Sequence, residues 1–258
     1  MELLKQGKRR SLISESMYII LNIVLAAAIL AAVIISEVIW PALLLVFLSK
    51  WRVLAVRPRF WMANIQANLV DFMVSISTVV LLFTATSWIM QVIITVLYVG
   101  WLVILKPQSK KLAMVWQAGV ALFASTTALF TVSYHWWASV VVLLMIVIGY
   151  GVTRHVLAAY GEKHHTLYSM IGGLFMAEFG WFFYHWTVAY PQFGMMGIKI
   201  PQVAIILTAV AFVLERIYNM YIHKHKFQLS DIALPLVLAI SVAIFLLIFR
   251  NGPGVNSF

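Results

Sequence analysis

Cysteine is absent from the 258 residues. Disulfides, thiolate metal sites, iron–sulfur clusters and a cysteine nucleophile are therefore excluded. Charge is scarce too: Asp, Glu, Lys and Arg make up 10% of the chain, against about 25% in a soluble domain. Too little polar surface remains to face water. Acidic residues are the rarest of these, 8 against 18 Lys and Arg, which leaves a net charge of +10. Several catalytic signatures are also missing. There is no Walker loop, no Gly-x-Ser-x-Gly, no His-Glu-x-x-His, no Asp-x-x-Asp pair for a prenyl diphosphate, and no lysine at a span centre to carry retinal. What is abundant is apolar: 64% of residues are hydrophobic, with a mean hydropathy of +0.98. A soluble protein and a disordered chain are both ruled out, and an all-α, polytopic integral membrane bundle is expected.

A membrane helix needs about 20 mostly apolar residues. The candidate spans are Met17–Ile35, Val38–Lys50, Ala67–Thr86, Ser87–Leu105, Met114–Ser133, Ala138–Ala159, Thr166–His185, Pro201–Tyr221 and Ile232–Phe249. They predict a single transmembrane domain over 1–258: a basic segment 1–16, a bundle of about nine helices over 17–249, and a short tail 250–258. The first apolar run is read as a retained signal-anchor helix rather than a cleaved leader. Between Met17 and Ser49 the chain is nearly uncharged, with Ser36, Glu37 and Pro41 in the middle. One helix of that length would overshoot a hydrocarbon core of about 30 Å. Two helices require a short second one, or one that continues past Lys50 and Arg52 with those side chains snorkelling outward.

The positive-inside rule favours two. With the N-terminus cytoplasmic and the C-terminus extracytoplasmic, all of the 18 Lys and Arg except Lys199 and Arg250 fall on the inner side. One long first span spreads them over both sides. The basic loops KWRVLAVRPR and KPQSKK are accordingly topology signals beside an anionic leaflet, and no nucleic-acid partner is expected.

Ionisable groups inside a span are costly and usually face the bundle interior. Glu178 lies near the middle of the seventh span, with His185 seven residues on, on the same helical face. Together they suit an ion or substrate pathway opening outward; structural hydrogen bonding to a neighbouring helix is the alternative. Gly173, Ala177 and Gly180 form a small-residue face for close helix approach, which places Glu178 against protein and offers a surface for other membrane proteins. Asn64, Asn68, Asp71, Ser75 and Thr78 step by four and three residues and predict one polar helix face, either a cavity wall or a hydrogen-bonded seam. Arg154, Glu215 and Arg216 lie at similar depth near the inner side, and with Asp71 they suit a charge cluster. The seven histidines lie at span ends and in loops, so no haem, metal or other cofactor is expected. Aromatic, Met-rich residues 186–200 form the long outer loop, a second possible partner surface.

The best functional expectation is a small proton- or cation-coupled carrier or channel-like protein of the cell membrane, with Glu178 and Asp71 in its path. A non-catalytic subunit of a larger membrane complex is the alternative. An intramembrane enzyme acting on lipid-linked substrates ranks third.

Overall fold

The computed structural model describes residues 12–185, 193–195, 198–224 and 229–248. Nearly all of them are helical. Helix α1 (Leu12–Ser36) has 25 residues, about 37 Å at about 1.5 Å per residue. It ends where expected. Ser36 Oγ donates to the Ala32 carbonyl at 2.5 Å, and Glu37 takes φ 54°, a left-handed conformation that stops a right-handed helix. Pro41 then opens α2 (Trp40–Ser49) from its first turn, where its missing N–H costs nothing. Helix α2 packs back on α1. It has ten residues, about 15 Å, so this second predicted span is too short to cross the core alone. A single turn, α3 (Trp51–Leu54), continues it.

Helices α4 (Trp61–Ala67) and α5 (Leu69–Thr84) meet at Asn68 with a bend of 68°. Asn68 donates from both its backbone N–H and its Nδ2 to the Asn64 carbonyl, at 3.1 and 2.9 Å. Such side-chain competition for a helical carbonyl disturbs the ladder. Helix α5 is the centre of the bundle. It packs against α1, α2, α6, α7 and α8, and Val74, Val79 and Leu82 are fully enclosed. The core continues through Ala121 and Leu122 of α7 (Lys111–Val132) and Val141 and Met145 of α8 (Ala138–Ala159). Helix α6 (Trp88–Gly100) ends in a π turn over Trp101–Leu105. Gln117 Nε2 closes that turn by donating to the Leu105 and Gln108 carbonyls, at 2.7 and 2.9 Å.

Helices α8 and α9 (His165–His185) pack along most of their length. Glycines make this approach possible. A Cβ on Gly149 would fall 2.6 Å from the Met176 side chain, and one on Gly180 would fall 2.7 Å from Met145. A short antiparallel pair, β1 (Phe193–Met195) with β2 (Ile198–Ile200), precedes α10 (Gln202–Lys224) and α11 (Leu229–Ile248). Helix α10 packs on α7 and α11.

Among the described residues, five helices are long and apolar enough to cross a membrane, or six if the bent α4–α5 pair counts as one span. Helix α9 is not among the five; Glu178, three glycines and several Trp, Tyr and His residues lower its mean hydropathy. The outward surface is largely apolar, with Ile35, Trp40, Leu48 and Trp88 each 65–82% exposed. A soluble monomer does not present such continuous apolar surface, so the chain is read as an integral membrane protein.

Candidate functional site

Asp71, in the first turn of α5, is the hub of the best-defined polar cluster. Lys50, just past α2, donates to its Oδ2, and Lys106, just past the π turn, reaches the same oxygen at 3.0 Å. Trp101 Nε1 donates to Oδ1 at 3.4 Å. Ser75 Oγ donates to the Asp71 carbonyl at 2.7 Å and accepts from Tyr98 Oη at 3.0 Å. Lys50 retains 4% exposure, so it turns inward to the carboxylate rather than snorkelling. One carboxylate already gripped by two ammonium groups has no vacancy for a transported cation. The cluster instead ties α2, α5 and the π turn together.

The predicted polar face divides at the Asn68 bend. Asn64 Nδ2 donates to the Val53 carbonyl at 3.4 Å, and Thr78 Oγ1 donates to Val74 at 2.8 Å. Asn64 belongs to α4, Asn68 is the junction between the two helices, and Asp71, Ser75 and Thr78 belong to α5. Asn64, Asn68, Ser75 and Thr78 bond backbone carbonyls and Asp71 bonds the lysines, so the five do not line one continuous face.

The predicted charge cluster is not assembled. Asp71 is held by lysines, while Glu215 Oε1 accepts from Tyr160 Oη at 2.5 Å. Arg216 lies over the Phe212 ring at 5.3 Å, and Arg154 Nε has no hydrogen-bond partner among the described residues. Tyr160 lies just beyond α8. Burial, and then the hydrogen bond to Glu215, raise its hydroxyl above the ordinary value of 10.0.

Glu178 corrects a second expectation: its side chain is exposed on the outside of α9. The cause is helical phase. Gly173, Ala177 and Gly180 are all buried, and Gly173 and Gly180 pack against Ile146 and Met145 of α8. Residue 178 is about 100° further round from Ala177, away from α8. The small-residue face is thus filled within the chain and is not a surface for another protein. His185 bonds its own helix, with Nδ1 2.8 Å from the Trp181 carbonyl. Among the described residues, no group of three or more His, Asp or Glu side chains gathers to hold a metal. Of residues 186–200, all but the two short strands lie outside the described residues, as does the tail 250–258.

A cavity of about 1080 Å³ separates α6 and its π turn from α7 and α10. Its walls are mostly apolar, with Thr78, Tyr98 and Thr208 among them, and Lys111, Tyr160, Glu215, Arg216 and Asn219 gather at one end. Of the predicted residues only Thr78, Glu215 and Arg216 border it; Asp71 and Glu178 do not. Lys50, Lys106, Lys111 and Tyr160 were not singled out from sequence. The three lysines read as topology signals, and their partners lie 21 to 49 residues away in the chain.

Comparison with known proteins adds no identity: no family model matches the chain, and no curated protein and no solved structure matches it either.

Proposed function

We propose that this chain is a non-catalytic subunit of a larger membrane assembly, docking through the outer face of α9. The observation that carries this reading is Glu178. A carboxyl group about 10 Å inside the helix end, on the lipid-facing side of a helix, is costly in hydrocarbon. A partner helix bearing a hydrogen-bond donor or a base at that depth removes the cost. Leu174, Phe175, Trp181 and Phe182 surround Glu178 as exposed apolar surface, which is suited to helix–helix contact. The carrier reading lacks comparable support, because Asp71 is held by two lysines and neither it nor Glu178 borders the cavity between α6 and α7.

The same proposal takes the chain across the membrane about nine times, with the N-terminus in the cytoplasm. Its support is the charge distribution, which leaves only Lys199 and Arg250 outside. The short second pass is accommodated by running through α3, Trp40–Leu54, about 22 Å, with local thinning of the bilayer.

The absence of native cysteine makes a single introduced thiol unique. Leu174→Cys and Phe182→Cys, labelled with a photoactivatable maleimide in native membranes, are expected to give adducts of higher mass. Ile20→Cys on α1 is expected to give none. Adding Glu178→Leu lowers the yield about tenfold, the worth of one intramembrane hydrogen bond of about 1–2 kcal/mol. Equal yields at α1 and α9, or no effect of Glu178→Leu, overturn the reading.

A further inference from the structure

We propose that the cavity between α6 and α7 is a binding site for an anionic phospholipid, entered sideways from the basic-loop leaflet, with the headgroup phosphate at Lys111 and Arg216. Three independent observations converge on this occupant.

The first is polarity. The body of the cavity is walled by Val96, Leu97, Ile104, Leu112 and Trp116. These five are 59–68% exposed, so the cavity is open to the bilayer between the helices rather than closed. Lys111 and Arg216 stand at one end. Glu215 is beside them but is engaged by the Tyr160 hydroxyl, and Lys111 is braced with Nζ 3.6 Å from the Tyr160 ring centroid. Among the described lining residues, two cations and one carboxylate meet at that end, a balance of charge that matches a phosphodiester.

The second is length. Along α7 the lining runs from Lys111 to Ala124, about 20 Å at about 1.5 Å per residue. That exceeds half of a hydrocarbon core of about 30 Å, so it accommodates acyl chains of one leaflet. A soluble anion would use only the charged end and leave the apolar walls unfilled.

The third is glycine. Gly149, Gly172, Gly173 and Gly180 each have a crowding neighbour, so a packing reason explains them. Gly100 and Gly119 do not: a Cβ on either would meet nothing within 4 Å, and both line the cavity. Glycine inside a helix costs about 1 kcal/mol relative to alanine. An acyl chain lying against bare backbone explains why that cost is tolerated at these two positions.

The experiment is native mass spectrometry of the full chain released from vesicles of equal phosphatidylglycerol and phosphatidylcholine. The wild type is expected to retain one phosphatidylglycerol in preference to phosphatidylcholine. Lys111→Gln with Arg216→Gln is expected to cut that preference about thirtyfold, from two basic contacts, while phosphatidylcholine is still retained. Gly100→Leu with Gly119→Leu projects two side chains into the cavity from positions where a Cβ meets nothing within 4 Å, so retention of both lipids is expected to fall while the midpoint of thermal unfolding in detergent does not. Retention of both lipids at equal levels overturns the proposal. So does unchanged retention in the leucine variant whose unfolding midpoint is maintained. In a parallel arm with oleate added, retention of oleate in place of any diacyl lipid also overturns it, because the occupant would then be a free amphiphile.

Discussion

Replacing Asp71 by asparagine removes the carboxylate that pairs with both Lys50 and Lys106. Asparagine keeps the shape and an oxygen for Trp101 but not the charge. Lys50 carries most of the consequence, since it retains 4% exposure while the Lys106 side chain retains 33%. Lys106 can turn toward the headgroups and lose little, as exposed pairs are worth about 0–1 kcal/mol. Lys50 cannot turn outward without displacing the α2–α5 contact. Stripping one partner from a buried pair costs about 3–5 kcal/mol, and that range is the expected loss for Asp71→Asn. Removing both charges tells whether the loss reflects an orphaned ammonium or lost attraction. Lys50→Met with Asp71→Leu leaves no orphan and is expected to recover most of the stability. The assay is reversible unfolding of the purified chain by SDS titration in mixed micelles, followed by far-UV circular dichroism. A loss below about 1 kcal/mol for Asp71→Asn, the scale of an exposed pair, would refute the assignment of a buried clasp. A double variant no more stable than the single would refute the orphaned-charge account.

The α8–α9 interface makes a steric prediction. Gly180→Leu drives side-chain atoms into Met145, whose Cγ already lies 2.7 Å from the Cβ position. Overpacking of this kind costs about 1–3 kcal/mol, measurable in the same titration, whereas Gly119→Leu is expected to cost nothing. Glu162 makes a pH prediction. The Tyr218 hydroxyl donates to its Oε2 at 2.8 Å, with the His164 N–H at its other oxygen, and these bonds hold its carboxyl below the ordinary 4.5. A lowered folded value means that the contribution is fully present above 4.5 and fades as pH falls through the folded value. Tyr218→Phe is therefore expected to lower stability slightly above about pH 4.5, to leave it unchanged at the lowest pH, and so to flatten the acid limb. An acid limb identical to the wild type would remove Tyr218 as the cause.

Much of the helix layout was legible in the chain. Ser36, Glu37 and Pro41 marked the first break, and helix breakers act through local backbone geometry that needs no tertiary partner. The span edges followed from runs of apolar residues, since the bilayer imposes a fixed thickness on them. The small-residue step of Gly173, Ala177 and Gly180 marked a close helix contact, although not that α8 would occupy it. The Asn68 bend escaped notice because the four-three polar rhythm continues across it in sequence. Only the backbone shows that the rhythm changes helix there.

Composition and local pattern alone determined that this is an apolar helical chain, where most of its helices begin and end, and that its few charges are unevenly placed. Tertiary structure decided which of those charges meet. Lys50 and Lys106 find Asp71 from 21 and 35 residues away, a distance no helical period encodes. It also decided which way Glu178 points. In water, the polar face of a helix reveals its exposed side. In a bilayer both the lipid-facing and the protein-facing sides are apolar, so that contrast vanishes and only the packing of α9 on α8 turns the carboxyl outward.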